Sequence, residues 1–144
     1  MSCAPSPSPK PFPAPHDADT LGQFAVSPQE WRGRIAAFQG NVEAVSDIRG
    51  RAVYRIVIEG SAPLWVVFIH AGAPAAVARQ TVKALGYLMS AKECDLVAVG
   101  AAPAEPALLS LAVINLATEK MTFAPEARAQ LATWQEGHLP TAAP

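Results

Sequence analysis

A ligand site at a strand end needs small residues to admit the ligand and a polar side chain to hold it. Ile69-His-Ala-Gly-Ala-Pro74 offers both. His70 closes an apolar run and Gly72 allows close backbone approach. A helix predicted to begin just beyond would aim free N–H groups at an anion. Binding of a small anionic ligand at His70 and Gly72 is therefore one expectation. The plainer reading of the same residues is a hydrogen-bonded structural histidine ahead of an ordinary tight turn. Val99-Gly-Ala-Ala-Pro103 repeats the pattern, as expected if both runs end on one edge of a parallel sheet, where open α/β folds bind ligands. Neither run carries a Gly-x-Gly-x-x-Gly or Gly-Lys-Ser/Thr phosphate loop.

Arginine supplies the second candidate chemistry. Five of the eleven Lys and Arg residues (Arg32, Arg34, Arg49, Arg51, Arg55) fall between positions 32 and 55. Arg51 and Arg55 share one face of a predicted strand and Arg49 sits at its turn, so the three form a candidate nucleic-acid-binding set that could grip phosphates bidentately. Tyr54, the aromatic of that strand, points to the other face, which leaves base stacking unsupported. The alternative is a solvated or partner-facing surface whose charges prevent sheet aggregation.

Nothing points to hydrolysis. His16, His70 and His138 are the three histidines, and the first and last are expected in terminal segments. There is no Gly-x-Ser-x-Gly, His-Glu-x-x-His or Cys-x-x-Cys. Cys3 and Cys94 are too few for a disulfide framework and read as reduced cytoplasmic thiols. Lys92 alone is thin support for a reactive Cys94. No catalytic residue, metal ligand or cofactor is assigned.

The elements that must position these residues follow from periodicity. Ala75 to Ser90 has helical spacing at Val77, Thr81, Ala84, Leu85 and Leu88, and it links two apolar runs, Leu64 to His70 and Asp95 to Gly100. That order predicts a strand, a crossover helix and a parallel strand. Ser27-Pro-Gln-Glu30 is a capping box, followed by Trp31, Ile35 and Phe38 at helical spacing as far as Gly40. Asn41 to Ile48 and Arg51 to Glu59 predict a hairpin through Arg49-Gly50. In its second strand Ala52, Tyr54, Ile56 and Ile58 face one way, and Arg51, Val53, Arg55, Val57 and Glu59 a wet side. Leu108 to Leu116 reads as a strand in preference to a helix, with Met121 to Phe123 as its hairpin return and a last helix from Pro125 to Gly137.

These elements make a mixed α/β domain over residues 27–137, with a central sheet of about five strands flanked by helices. A leader over residues 1–26, with six prolines between Pro5 and Pro15, is expected to be disordered, and residues 138–144 form a tail. At 144 residues the chain suits one domain. Charged residues are 16% of it, against about 25% in average soluble domains. So sparse a surface charge suggests coverage by a protein partner or a second copy, as in a homodimer. The net charge of −1 gives no general attraction to nucleic acid, and no apolar run is long enough for a membrane helix.

The order of helix, three strands, helix and strand over about residues 27–116 resembles the restriction-endonuclease-like, or PD-(D/E)XK, core. The resemblance implies an acid on the second core strand and Glu-x-Lys on the third, holding Mg²⁺ and assisting water. Here the third strand carries Phe68, Ile69 and His70; Glu59 and Glu30 would be incomplete substitutes. The resemblance therefore implies a degenerate, non-cutting site. The resulting expectation is a non-catalytic domain acting by protein–protein interaction or self-association. Nucleic acid and a small anion are the alternative ligands, and a membrane is not expected.

Overall fold

The computed structural model describes residues 11–60 and 63–140. They form a single small domain built on a closed five-strand β-barrel with short helices. The elements are α1 (Ala18–Val26), β1 (Ile35–Ile48), β2 (Arg51–Val57), β3 (Leu64–Ala71), β4 (Thr81–Ser90), β5 (Pro106–Asn115), β6 (Met121–Phe123) and α2 (Arg128–Gln135). β1 is shared: its first half pairs antiparallel with β4 (Ile35↔Tyr87 to Asn41↔Thr81), its second with β2 (Asn41↔Val57 to Ile48↔Arg51). β2 pairs with β3 and β4 with β5, and a parallel ladder from Trp65↔Ala107 to Phe68↔Ser110 joins β3 to β5. The barrel order is thus 1-2-3-5-4-1, an OB-fold-like arrangement.

The mixed sheet flanked by helices is corrected to this barrel, and the reason lies in β1 and β4. Val82, Ala84 and Leu88 point into the barrel, while Leu85 of the same strand is buried under α2. Ala36 and Phe38 of β1 likewise point inward, and Ile35 and Ala37 outward beneath α2. A strand buried on both faces places apolar residues at both parities, and a subset of them then falls at helical spacing. The crossover helix of 75–90 is β4 preceded by a loop. The helix expected from Ser27 is one 3₁₀ turn, Pro28–Trp31, ended at Gly33, whose φ of +72° is left-handed. The order of elements behind the nuclease resemblance is consequently not that of the molecule. Close packing enforces the barrel at Gly86, where a Cβ would collide with the Leu109 backbone.

Asp95 to Gly100 is not a strand either. Asp95 (φ 60°) and Gly100 (φ 105°) are left-handed, with a 3₁₀ turn, Leu96–Val99, between them. The parallel partner of β3 is β5 instead. The hairpin of β1 and β2, the strand assignment of residues 108–116, the return at Met121–Phe123 and the terminal helix match the sequence expectation.

Within the expected leader, residues 1–10 lie outside the described residues, but 12–26 pack on the barrel. Trp134 Nε1 donates to the Pro13 carbonyl (2.7 Å) and Phe12 meets the Trp134 ring edge-on at 5.1 Å. His16 extends the sheet beside β1, its Nδ1 accepting from Ala37 N–H at 3.0 Å. α1, capped by the Asp17 carboxylate accepting from Asp19 N–H (3.0 Å), buries Leu21 and Phe24 in the same cluster as the barrel interior. The other barrel end is tied by buried Asn115, whose Nδ2 donates to Ala75 O (3.0 Å) and Gln80 Oε1 (2.8 Å).

Candidate functional site

The two residue groups singled out by chemistry come together at the end of the β1–β2 hairpin. Arg51 is opposite Ala71 in the β2–β3 ladder, and Gly72 N–H donates to Gly50 O at 2.9 Å. Arg49, Arg51, His70 and Gly72 therefore share one barrel edge. Their charges are largely engaged. Arg49 pairs with Asp95 (3.6 Å) and Arg55 with Glu43 (3.3 Å), and the Arg55 guanidinium lies 5.4 Å from the Trp65 ring centre. Arg55 Nε is buried without a hydrogen-bond partner among the described residues. His70 Nε2 contacts the Glu126 carboxylate. The anion site loses its main support, because Gly72 leads into a loop and then β4, with no helix N-terminus beyond it.

The expected wet face of β2 is covered only at its middle: Arg51 and Arg55 are half-buried, and Val57 and Glu59 beyond them are exposed. Val53 is fully buried, together with Trp65 and Val67 of β3, beneath residues 91–105. This loop leaves β4, crosses the outer face of β2 and β3 as a strap, and returns to β5. Leu96 is its anchor, buried with Ala91, Cys94 and Ala101. At its far end Glu105 accepts from Trp65 Nε1 (3.3 Å) and from Ala102 N–H (2.6 Å). Burial, with Glu93 beside it, pushes the Cys94 thiol up to about 11, so it stays protonated and weakly nucleophilic at neutral pH.

A different surface is open. Between the amino-terminal segment and the β4–β5 end of the barrel lies a half-open groove of about 770 Å³. Phe24, Ala25, Pro28 and Arg32 contribute from one segment; Leu88, Met89, Lys92, Ala104 and Leu109 contribute from the other. Its lining is mostly apolar. The acid Glu93 is turned into its own loop, Oε1 accepting from Ser90 Oγ (3.0 Å) and Ser90 N–H (3.3 Å). Sequence reasoning missed the groove because its walls are far apart in the chain. In the sequence Arg32 groups with the arginine cluster, and Lys92 stands out only as a neighbour of Cys94.

Among the described residues no group of three or more His, Cys, Asp or Glu is arranged to hold a metal, and no helix is long and apolar enough to cross a membrane. No family model matches this chain, and no curated protein matches it. Among solved structures it is similar to a chain in the crystal structure of the S. pombe Stn1-ten1 complex. The identity is 14%, the match covers 72% of this chain and 67% of that one, and the TM-score is 0.40. At that level the functional reading rests on the surfaces of this molecule alone.

Proposed function

We propose that the protein is a non-catalytic binding module whose working surface is the groove beside α1 and whose ligand is a segment of another polypeptide. The observation that carries this reading is a half-open, mostly apolar groove of about 770 Å³ beside a barrel face that is already covered. Apolar surface left open on a small domain marks an interaction site more often than idle exposure. Val26, next to the groove wall, is 83% exposed, and Met89 supplies a side chain that repacks around different partners. Ser90 and Glu93 satisfy each other, so the groove presents no polar pair free for acid–base work.

The test is selection of a displayed random peptide library on the full chain. Peptides are expected to enrich on the native protein and to lose binding to Ala104→Trp, which fills the groove from an exposed position and leaves the melting temperature unchanged. Peptides that bind Ala104→Trp equally well, or no enrichment at all, would refute the reading.

A second reading follows from Trp65 and Arg55, which lie on the strand face that OB-type barrels turn toward oligonucleotides. Here the strap would have to lift first. Salt-sensitive binding of a single-stranded oligonucleotide, lost in Arg51→Ala/Arg55→Ala, is its signature.

A further inference from the structure

Resting on the polypeptide-groove reading, we infer that the groove selects an apolar segment flanked by carboxylates. The charges around it carry the argument. Arg32, just after the 3₁₀ turn, and Lys92, at the start of the strap, both line the groove and both are exposed. Neither has a carboxylate within ion-pair distance among the described residues; Arg51 is likewise without one, whereas Arg49 and Arg55 each have one. Arg34, two residues from Arg32, is held over the Trp31 ring at 4.3 Å and belongs to the barrel end. Among the described residues Glu93 is the one acid of the groove lining, and its bonded oxygen is occupied by Ser90, so the described lining is net positive by one charge.

The floor fits the rest of such a ligand. Phe24 and Leu88 are buried, and Met89 and Leu109 are half-buried beside them. An apolar side chain seated there would leave its flanking residues beside the exposed Arg32 and Lys92. Paired surface charges contribute little to affinity but choose the partner and speed the encounter. The chain's own opening segment is the wrong sign for this role, since Lys10 is its one charged residue before Asp17 apart from His16.

The experiment takes the peptides enriched on the groove and remakes each with its flanks as Glu, Gln or Lys, measuring binding by fluorescence anisotropy at low and high salt. The Glu series is expected to bind about tenfold more tightly than the Lys series, the scale of two rim ion pairs. The preference should shrink with salt and vanish in Arg32→Gln/Lys92→Gln. Equal binding of all three series, still blocked by Ala104→Trp, overturns the charge selection and leaves the polypeptide reading standing. Absence of any binding sensitive to Ala104→Trp overturns both. Displacement by dodecanoate of every peptide, with tighter binding than any of them, assigns the groove to a small amphiphile and overturns both as well. A concentration-dependent dimer that excludes the peptides makes a second copy the occupant and overturns the inference.

Discussion

The outer face of β2 and β3 and the groove beside α1 are both apolar surfaces edged by cations, yet the chain closes one and leaves the other open. On the closed face residues 91–105 supply Leu96 to the apolar surface and Asp95 to Arg49, so shape and charge are both satisfied internally. Beside α1 the same loop contributes Lys92 and Ala104 to a groove wall, and no described residue fills the space between. One loop thus seals one surface and borders the other. An arginine on a barrel strand is therefore weak evidence of a ligand until its partners within the chain are known.

The largest test of this contrast removes the strap's anchor. Leu96→Ala deletes a fully buried side chain, and leucine truncations in cores cost about 2–5 kcal/mol. If the strap is part of the core, chemical denaturation should show a loss of that size. In a Cys3→Ser background, Cys94 should also change from slow to rapid thiol labelling. A loss below about 1 kcal/mol, small for a buried leucine, would mean the strap is a loosely held cover, and the nucleic-acid reading would gain accordingly.

Next in size is the anchor of the open side. His16 accepts from Ala37 N–H at 3.0 Å and lies edge-on to Trp31 at 5.6 Å, fixing the segment that leads into α1. Burial, reinforced by Arg34, holds its pKa below 6.5 against the opposing pull of the Ala37 carbonyl, 3.3 Å from Nδ1, and the charge of Asp17. Between the folded value and 6.5 the unfolded chain binds the proton and the folded chain does not, so stability is complete above 6.5 and drains away as pH falls. Acidification should therefore raise hydrogen exchange in residues 16–31 and weaken peptide binding while Cys94 stays protected. His16→Ala should cost about 1–3 kcal/mol at neutral pH, the penalty for leaving a buried N–H unpaired, and should flatten the pH dependence. A native-like dependence in that variant would exclude His16 as its source.

The same contrast explains what was legible in the sequence. β2 was readable because its inward residues, Ala52, Tyr54 and Ile56, alternate with Arg51 and Arg55, and polar residues mark the parity. β1 and β4 lack that mark, being buried inside the barrel and under α2 at once, and their apolar residues imitate a helix. Leu96-Val-Ala-Val99 resembles a strand for a related reason: an apolar run can cover a sheet as well as join one, and periodicity does not distinguish the two. α1 left a usable signal, Asp17 as cap with Leu21 and Phe24 three apart, but the prolines upstream outweighed it. Arg49, Arg51, His70 and Gly72 were legible as residue types, and their shared edge was not, because it depends on β3 lying beside β2. The groove was least legible of all, since residues 24–33 and 87–109 meet only after the barrel closes.

The smallest effect separates charge from packing in holding the strap. The Arg49–Asp95 pair is largely exposed, with side chains 74% and 61% accessible, at 3.6 Å. Pairs of that kind contribute about 0.2–1 kcal/mol, less as salt rises. A double-mutant cycle over Arg49→Ala and Asp95→Ala should return a coupling in that range at low salt and near zero at high salt. Cys94 labelling should barely change in any of the variants, because Leu96 and its apolar neighbours do the holding. Asp95 needs a control, since its left-handed φ of 60° suits Asp and Asn better than Ala. Asp95→Asn keeps the backbone and removes the charge. If Asp95→Asn alone exposed Cys94, the strap would be an electrostatic latch, and the closed face would be as available to a ligand as the groove.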